Sequence, residues 1–210
     1  MSSLLESLQW RYATKQFDPS KKISDADLHQ LTEVLRLSPS SFGLQPRKFL
    51  VITDPTIREM LVTHSRGQRQ VADASHLIVL CARDSVDEAY IESYIADVAQ
   101  TRGIDASMLD GYKNMMIGFS QNHSPDSIKI RADKQVYIAQ WVLLTAAAMM
   151  QIDACPMEGF DRVAYDTVLG LEWTGYHTAV IVPVGYRSAD DASAHYAKVR
   201  FSEEEVVEYR

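Results

Sequence analysis

Four cations stand near the two ends of an acidic chain: Arg11 and Lys15 early, Lys198 and Arg200 late. If the fold brings those ends together they make a phosphate site, because guanidinium and ammonium groups donate charge-assisted hydrogen bonds to phosphate oxygens. Each also has an ordinary reading, Arg11 and Lys15 as charges favoured at a helix C-terminus and Lys198 and Arg200 as solvated side chains. Ser40, Ser41 and Gln45 lie in a proline-flanked loop, where turn chemistry alone accounts for them. Glu158-Gly159 is either a plain chain reversal or the place beside which the chemistry is done. Cys155 has no histidine next to it in sequence and reads as a buried structural thiol.

Other chemistries lack their residues. The glycines form neither GxGxxG nor GxxxxGK[ST], so no dinucleotide fingerprint or P-loop is present. There is no GxSxG, and the six histidines have no HExxH or Cys/His ligand spacing. Hydrolase and metalloenzyme readings have little support, and no metal is expected. A net charge of −7 argues against a general nucleic-acid binder, which would carry a basic surplus. Two cysteines, Cys81 and Cys155, lie in or beside apolar runs and fit a reducing compartment without a disulfide framework. The opening MSSLLESLQWRYATK holds Glu6 and no long apolar run, so it does not read as a signal peptide, and a cytoplasmic protein is expected.

The element that must position these residues is Lys134 to Gln151, KQVYIAQWVLLTAAAMMQ. Val136, Ile138, Trp141, Val142, Leu143, Leu144, Met149 and Met150 point in every direction at 3.6 residues per turn, so the helix is expected to be buried all round. Its apolar run of about fifteen residues is short of the roughly twenty that span a bilayer, so no membrane partner is expected. One chain of 210 residues covers such a helix poorly, and a two-fold partner lying against it is expected. The helix runs into Ile152 to Phe160, IDACPMEGF, a Pro/Gly turn.

Around it, Ser2 or Ser3 can cap a first short helix ending near Trp10-Arg11. Ser24 to Leu37 is a second helix, Ser24 with Asp27 resembling a capping box. Ser38 to Pro46 is a loop, and Lys48 to Thr53 a strand. Asp54-Pro55 opens a further helix. His76 to Ala82 (HLIVLCA) is a buried strand, Asp84 to Ser120 two mostly polar helices broken near Arg102-Gly103, and Ser124-Pro125 the approach to the core helix. Asp161 to Leu169 is a short helix closed by Gly170, and His177 to Val184 a third strand. The expected fold is α+β, one domain over 1–210 with a small sheet covered by helices.

Seven stretches in order carry a resemblance: Arg11-Tyr12-Ala13-Thr14-Lys15 with Phe17-Asp18, Pro39-Ser40-Ser41-x-x-x-Gln45-Pro46, Asp73-Ala74-Ser75-His76, Lys134-Gln135-Val136-Tyr137, Pro156-Met157-Glu158-Gly159-Phe160, Pro183-Val184-Gly185 and Lys198-Val199-Arg200. Together they resemble the FMN-dependent nitroreductases, especially the oxygen-insensitive NAD(P)H nitroreductases, over about residues 6 to 205. The resemblance implies a small, mostly antiparallel sheet and an intertwined homodimer with two FMN sites at its interface. Arg11, Lys198 and Arg200 would hold the FMN phosphate, and Lys15 would approach the N1/O2 edge of the ring. Pro39, Ser40, Ser41 and Gly43 would reach over from the other subunit, and Gln135 would make a polar contact. Pro156, Glu158 and Gly159 would lie along the ring, with backbone N–H groups near N5 and O4. Tyr12, Ala13, Gln70 and Met157 join the cofactor-binding set, and Phe42 and Phe119 are candidates for stacking on substrate, with core packing the alternative for both.

This chain departs from the family pattern in having Gly43 where Asn is common, Arg47 where Trp is common, Ala13 for a serine, and Gln70 beside Arg69 where a second lysine is expected. No acid or base is implied among the side chains. The implied reaction is ping-pong transfer of two electrons from NADH or NADPH through the flavin to a nitroaromatic, a quinone or a related small aromatic acceptor. Alternatives within the fold are a dihydropteridine reductase or a reductive dehalogenase, and outside catalysis a flavin-binding dimer.

Overall fold

The computed structural model describes residues 3–210. Helix α1 (Leu4–Trp10) starts at Ser3, whose hydroxyl accepts the Glu6 N–H at 3.2 Å while the Glu6 carboxylate accepts the Ser3 N–H at 2.7 Å. That box satisfies N–H groups which a helix start leaves bare. Ser2, the other serine expected to cap here, lies outside the described residues. Helix α2 (Asp25–Leu37) is capped by the Ser24 hydroxyl, which accepts the Asp27 N–H at 3.1 Å. The expected box is only half made: the Asp27 carboxylate takes the Ser24 hydroxyl proton at 2.8 Å instead of reaching the Ser24 N–H. Asp is one methylene shorter than the glutamate that closes such boxes. Helix α3 (Pro55–His64) begins with proline, after Asp54 has accepted from the Thr56 and Ile57 N–H groups.

Strands β1 (Arg47–Ile52), β2 (His76–Arg83) and β4 (Tyr176–Gly185) match the three that are expected, within a residue or two. A fourth, β3 (Asp153–Ala154), lies inside what reads as a turn; two residues are too short to carry a periodicity. The sheet order is β1-β2-β4-β3, antiparallel throughout. Successive side chains point to opposite faces, and both faces are covered. Ile78, Leu80, Val180, Val182 and Val184 pack with Leu31 and Leu35 of α2. Leu77, Val79, Cys81 and Ile181 pack with Leu61 and Val62 of α3. Two-sided cover is why β2 reads as an unbroken apolar run without alternation.

Helices α4 (Gln70–Asp73), α5 (Glu88–Arg102) and α6 (Asp110–Gln121) precede the long α7 (Pro125–Met149). Gly103, at φ 65°, turns the chain at the expected break after α5. Helix α7 is one 25-residue element beginning nine residues before Lys134, because Ser124 caps it and Pro125 fits its first position. Within one chain α7 is not buried all round. Ala132, Val136, Ala139, Leu143 and Ala147 form a stripe facing the sheet, whereas Ile130, Ile138, Trp141 and Met149 are exposed. His177 of β4 ties α7 down, its Nδ1 2.9 Å from Asp84 and its Nε2 2.9 Å from Asp133. Helix α8 (Arg162–Val168) packs beside β4, and α9 (Glu203–Val206) lies in the polar tail. Among the described residues no helix is long and apolar enough to cross a membrane.

Gly185, at the end of β4, packs closely against Ser75, just before β2, and against Phe17 of the extended segment after α1. A Cβ there would lie 2.8 Å from the Ser75 backbone nitrogen and 3.1 Å from the Phe17 ring. Gly185→Ala is expected to destabilise the protein by about 1–3 kcal/mol, read as a lower urea midpoint with an unchanged slope.

Candidate functional site

The extended segment after α1 is held by two acids far away in sequence. Asp153 of β3 is 4% exposed and takes the Arg187 N–H and Nε at 2.8 Å each, with the Thr14 hydroxyl at 3.4 Å. The Arg187 guanidinium lies 4.3 Å from the Trp10 ring centre and 4.6 Å from that of Tyr12, a cation against two aromatic faces. Ala13 bridges Ala154 in parallel, and Phe17 bridges Arg187. The second acid, Asp191, is 2% exposed and accepts from the Lys15 N–H at 2.8 Å, the Gln16 N–H at 3.1 Å and the Tyr12 hydroxyl at 2.9 Å. Its other oxygen accepts the Ser193 N–H at 3.0 Å. Burial pushes the Asp191 carboxyl up, but these hydrogen bonds outweigh it and leave its pKa below the ordinary value. Burial and the bond to Asp191 push the Tyr12 phenol up.

Those anchors bring both chain ends to one cleft of about 430 Å³, lined by Arg11, Tyr12, Ala13, Ser193, Lys198 and Arg200 among others. Burial lowers the Arg11 pKa and Arg200 lowers it further; Lys198 is lowered by burial, then by Arg11 and Arg200. Burial is the larger cause for both groups, and like charge nearby is the smaller. Among the described residues none of the three forms an ion pair. Lys198 is partly occupied, donating to the carbonyls of Leu8 at 2.8 Å and of Arg11, which closes the end of α1. Arg200 donates to its neighbour's carbonyl at 2.6 Å and is otherwise exposed.

Lys15 is exposed and, with Arg11, acts on the Cys155 thiol, which burial pushes up and the two cations pull down. Cys155 is 1% exposed and free, as its structural reading requires. From there the chain runs along the site. The Met157 N–H is committed to the Ile181 carbonyl at 2.9 Å. Among the described residues, the Glu158 and Gly159 N–H groups have no acceptor, whereas Pro156 has no N–H to give. The Glu158 carboxylate turns away and accepts the Tyr137 hydroxyl at 2.7 Å. Gln68 Nε2 donates to the Gly159 carbonyl at 3.1 Å and to Ser65 at 3.0 Å, bringing the start of α4 against this stretch. Gln70, 7% exposed, opens α4, and Arg69 beside it is drawn away to Glu59 and Asp73.

The remaining expected residues form a second group. The Ser41 N–H donates to Gln135 Oε1 at 2.8 Å, so the proline-flanked loop sits on α7 of its own chain. Arg47, 8% exposed, ties the two together by donating to the carbonyls of Ser38, of Pro39 at 3.0 Å and of Gln135 at 3.3 Å. Phe42 and Gly43 both have positive φ, 57° and 71°, an arrangement costly for Phe and free for Gly. The Phe42 carbonyl is fixed by the Tyr94 hydroxyl at 3.1 Å and the Tyr112 hydroxyl at 2.7 Å. Phe42 meets Phe119 edge to face at 5.3 Å, and Arg131 lies 4.6 Å over Phe119. Both rings line an apolar pocket with Ser41, Met116, Arg131 and Gln135. This pocket and the cationic cleft share no lining residue.

Sequence alone marks Arg47 only as a departure from the family pattern, and misses Asp153, Arg187, Asp191 and Gln68. Only Asp153 leaves a trace, as an acid interrupting an apolar run; the others stand in polar or basic surroundings that mark nothing.

Asp191 makes the cleft sensitive to acid. Its folded pKa is depressed, so its contribution is present above the unfolded carboxyl value of about 4 and is lost as pH falls through the lower folded value. Asp191→Asn is expected to flatten that limb of a melting-temperature profile against pH. At Gly43 an added Cβ would sit 2.4 Å from the Tyr94 hydroxyl. Gly43→Asn is therefore expected to lower thermal stability, and Tyr94→Phe in the same chain to restore part of the loss.

The geometry agrees with what the chain is similar to. A model of the Nitroreductase family matches residues 8–186. Two relatives named "Putative NAD(P)H nitroreductase" match over all or nearly all of their length. SH0546 of Staphylococcus haemolyticus is 35% identical over all of both chains, and YfkO of Bacillus subtilis is 35% identical over 99% of this chain and 97% of its own. A nitroreductase-like protein of Streptococcus mutans superposes with a TM-score of 0.85 at 23% identity, covering 98% of this chain and 97% of its own. A nitroreductase-type protein of Exiguobacterium sibiricum, solved in complex with FMN, superposes at 0.84 with 21% identity, over 100% and 98%. These two likenesses establish the fold. With the family model across most of its length and relatives matched end to end, this chain belongs to the nitroreductase family of oxidoreductases.

Proposed function

We propose that the chain, as a single domain over 1–210, binds FMN and uses NADH or NADPH to reduce small electron-poor aromatic acceptors, working as a homodimer. The observation that carries this reading is the convergence of Arg11, Lys198 and Arg200 on one cleft without a counter-charge. Three cations left to repel one another fit a multiply charged phosphate, which would relieve that repulsion. The FMN-bound structural neighbour and the relatives named NAD(P)H nitroreductase support the choice of cofactor and donor.

Arg11, Lys198 and Arg200 would hold the phosphate, and Tyr12 and Ala13 would form the wall of the cleft. Lys15 would place a positive charge at a ring edge where negative charge develops. The free N–H groups of Glu158 and Gly159 would donate to ring atoms, with Pro156 and Met157 shaping the backbone beside them and Gln70 offering a neutral amide where a cation is common in the family. When bound, FMN would supply the hydride and two-electron redox chemistry, and the chain's residues would hold and orient it. Roughly thirty non-hydrogen atoms at about −0.3 kcal/mol each give about −9 kcal/mol, a Kd on the order of 0.1–1 μM.

Pro39, Ser40, Ser41, Gly43 and Gln135 lie in the other group, so they would complete the site of a partner. The exposed Ile138, Trp141 and Met149 of α7 and the exposed Tyr196, Val199 and Phe201 of the tail support such an assembly, since large apolar side chains gathered on a surface favour a covering partner. Phe42 and Phe119 would offer aromatic faces to nitroaromatics or quinones.

The first test is the visible spectrum of the purified protein, with the released chromophore weighed by mass spectrometry. FMN bands that bleach on adding NADH or NADPH are expected; a colourless chain that takes up no added FMN would overturn the reading. Arg200→Ala is expected to weaken FMN binding by roughly 2–3 kcal/mol. The two-chain site has its own check. Arg200→Ala and Gln135→Ala chains, each impaired as homodimers, are expected to regain one intact site when co-assembled. A site contained within one chain would leave every site of that mixture carrying a mutation, with no recovery.

A further inference from the structure

Glu158 is the one carboxylate between Cys155 and Phe160, the stretch that leaves two N–H groups free. Both sides of it are pinned through the backbone. Met157 exchanges two hydrogen bonds with Ile181, its N–H donating at 2.9 Å and its carbonyl accepting at 3.2 Å. The Glu158 carbonyl accepts the Phe160 N–H at 2.9 Å, and the Gly159 carbonyl accepts Gln68 Nε2 at 3.1 Å. The carbonyls of these three residues are therefore spent. What Glu158 and Gly159 have left to give a ligand is their N–H groups.

The Glu158 side chain is exposed, and among the described residues no Lys, Arg or His forms an ion pair with it. Arg162 is near enough to act on Tyr137 yet makes no such pair. The carboxylate is held instead by a neutral donor, the Tyr137 hydroxyl at 2.7 Å. A hydrogen bond to a charged oxygen is stronger than one between neutral groups, and a phenol fixes that oxygen without cancelling its charge. Burial, then the hydrogen bond to Glu158, pushes the Tyr137 phenol up to about 12, so Tyr137 stays the donor throughout the neutral range.

Tyr137 is half-buried on α7, one turn after Asp133, which meets His177 Nε2 at 2.9 Å. It stands two residues after Gln135, which holds the Ser41 N–H. The phenol therefore ties an unpaired charge to a helix that is itself anchored to β4. A unit charge repels a ring that gains negative charge on reduction, and it does so more strongly at short range and out of water. Where this carboxylate is held thus bears on any flavin bound beside residues 156–159.

We propose that Tyr137 is a positioning residue that keeps the Glu158 charge on α7, away from the flavin ring, and so raises the reduction potential of bound FMN. This inference rests on the FMN reading and adds to it a residue that touches neither phosphate nor ring.

The test measures the two-electron potential of FMN bound to the full-length protein, against a reference dye, in four proteins: the unaltered chain, Tyr137→Phe, Glu158→Gln and the double variant. Tyr137→Phe keeps the ring and gives up the donor, which frees the carboxylate. Its bound flavin is expected to be about tenfold harder to reduce, a fall of about 30 mV for a two-electron couple. Glu158→Gln keeps an acceptor for the phenol and removes the charge, so its potential is expected at or above that of the unaltered chain. Adding Tyr137→Phe to Glu158→Gln is expected to change nothing further, because no charge is left to release. A mere loss of packing would shift the potential alike in both backgrounds. A Tyr137→Phe potential equal to or above that of the unaltered chain, or a fall of the same size in the Glu158→Gln background, overturns this proposal and leaves the FMN reading standing. A chain that takes up no FMN overturns both.

Discussion

Two buried carboxylates, Asp153 and Asp191, determine where both ends of the chain go. Asp153 captures Arg187, and Asp191 collects backbone donors from Lys15, Gln16 and Ser193 together with the Tyr12 hydroxyl. A buried carboxylate is tolerable only when fully hydrogen-bonded, and here the donors come from segments nearly the length of the chain apart. The cationic cleft is a consequence. Arg11 belongs to the segment Asp191 binds, and Lys198 and Arg200 follow shortly after Asp191 itself. Neutralising charge is spent on the scaffold, so the cations of the cleft are left without partners.

The loop of Pro39 to Gly43 is held by a different device. It carries backbone strain at Phe42, and the fixing is done from outside by Arg47 to three carbonyls and by two tyrosine hydroxyls to one. Strain persists where the surroundings over-determine it. The same contacts explain two departures from the family pattern. Arg47 stands in a buried position where its donors all meet backbone oxygens, and Gly43 leaves room for the Tyr94 hydroxyl. Both are local solutions to positioning one loop on α7.

The two groups differ in how they are prepared. The cleft gathers Arg11, Lys198 and Arg200, which among the described residues have no carboxylate partner. The loop spends hydrogen bonds to become rigid, and its apolar pocket needs no charge relief. Helix α7 connects them physically: Gln135 meets the loop, and two residues on Tyr137 meets Glu158.

Much of the fold was legible along the chain, because its signals are local. The caps at Ser24, Asp54 and Ser124, the apolar runs of β2 and β4, and the break at Gly103 each act through neighbours within a few residues. Arg11, Lys198 and Arg200 could also be marked as a candidate set, since cationic side chains are the types that pair with phosphate. What only the tertiary structure decided depends on distant pairs. The capture of Arg187 by Asp153, the gathering of residues 12–16 by Asp191 and the clamp of Arg47 leave no periodicity to read. The all-apolar pattern of Lys134 to Gln151 predicts burial on every side, but within one chain a helix has one face toward its sheet, and Ile138 and Trp141 fall on the other. Hydrophobic type states that a side chain seeks cover; only packing in space determines which surface supplies it.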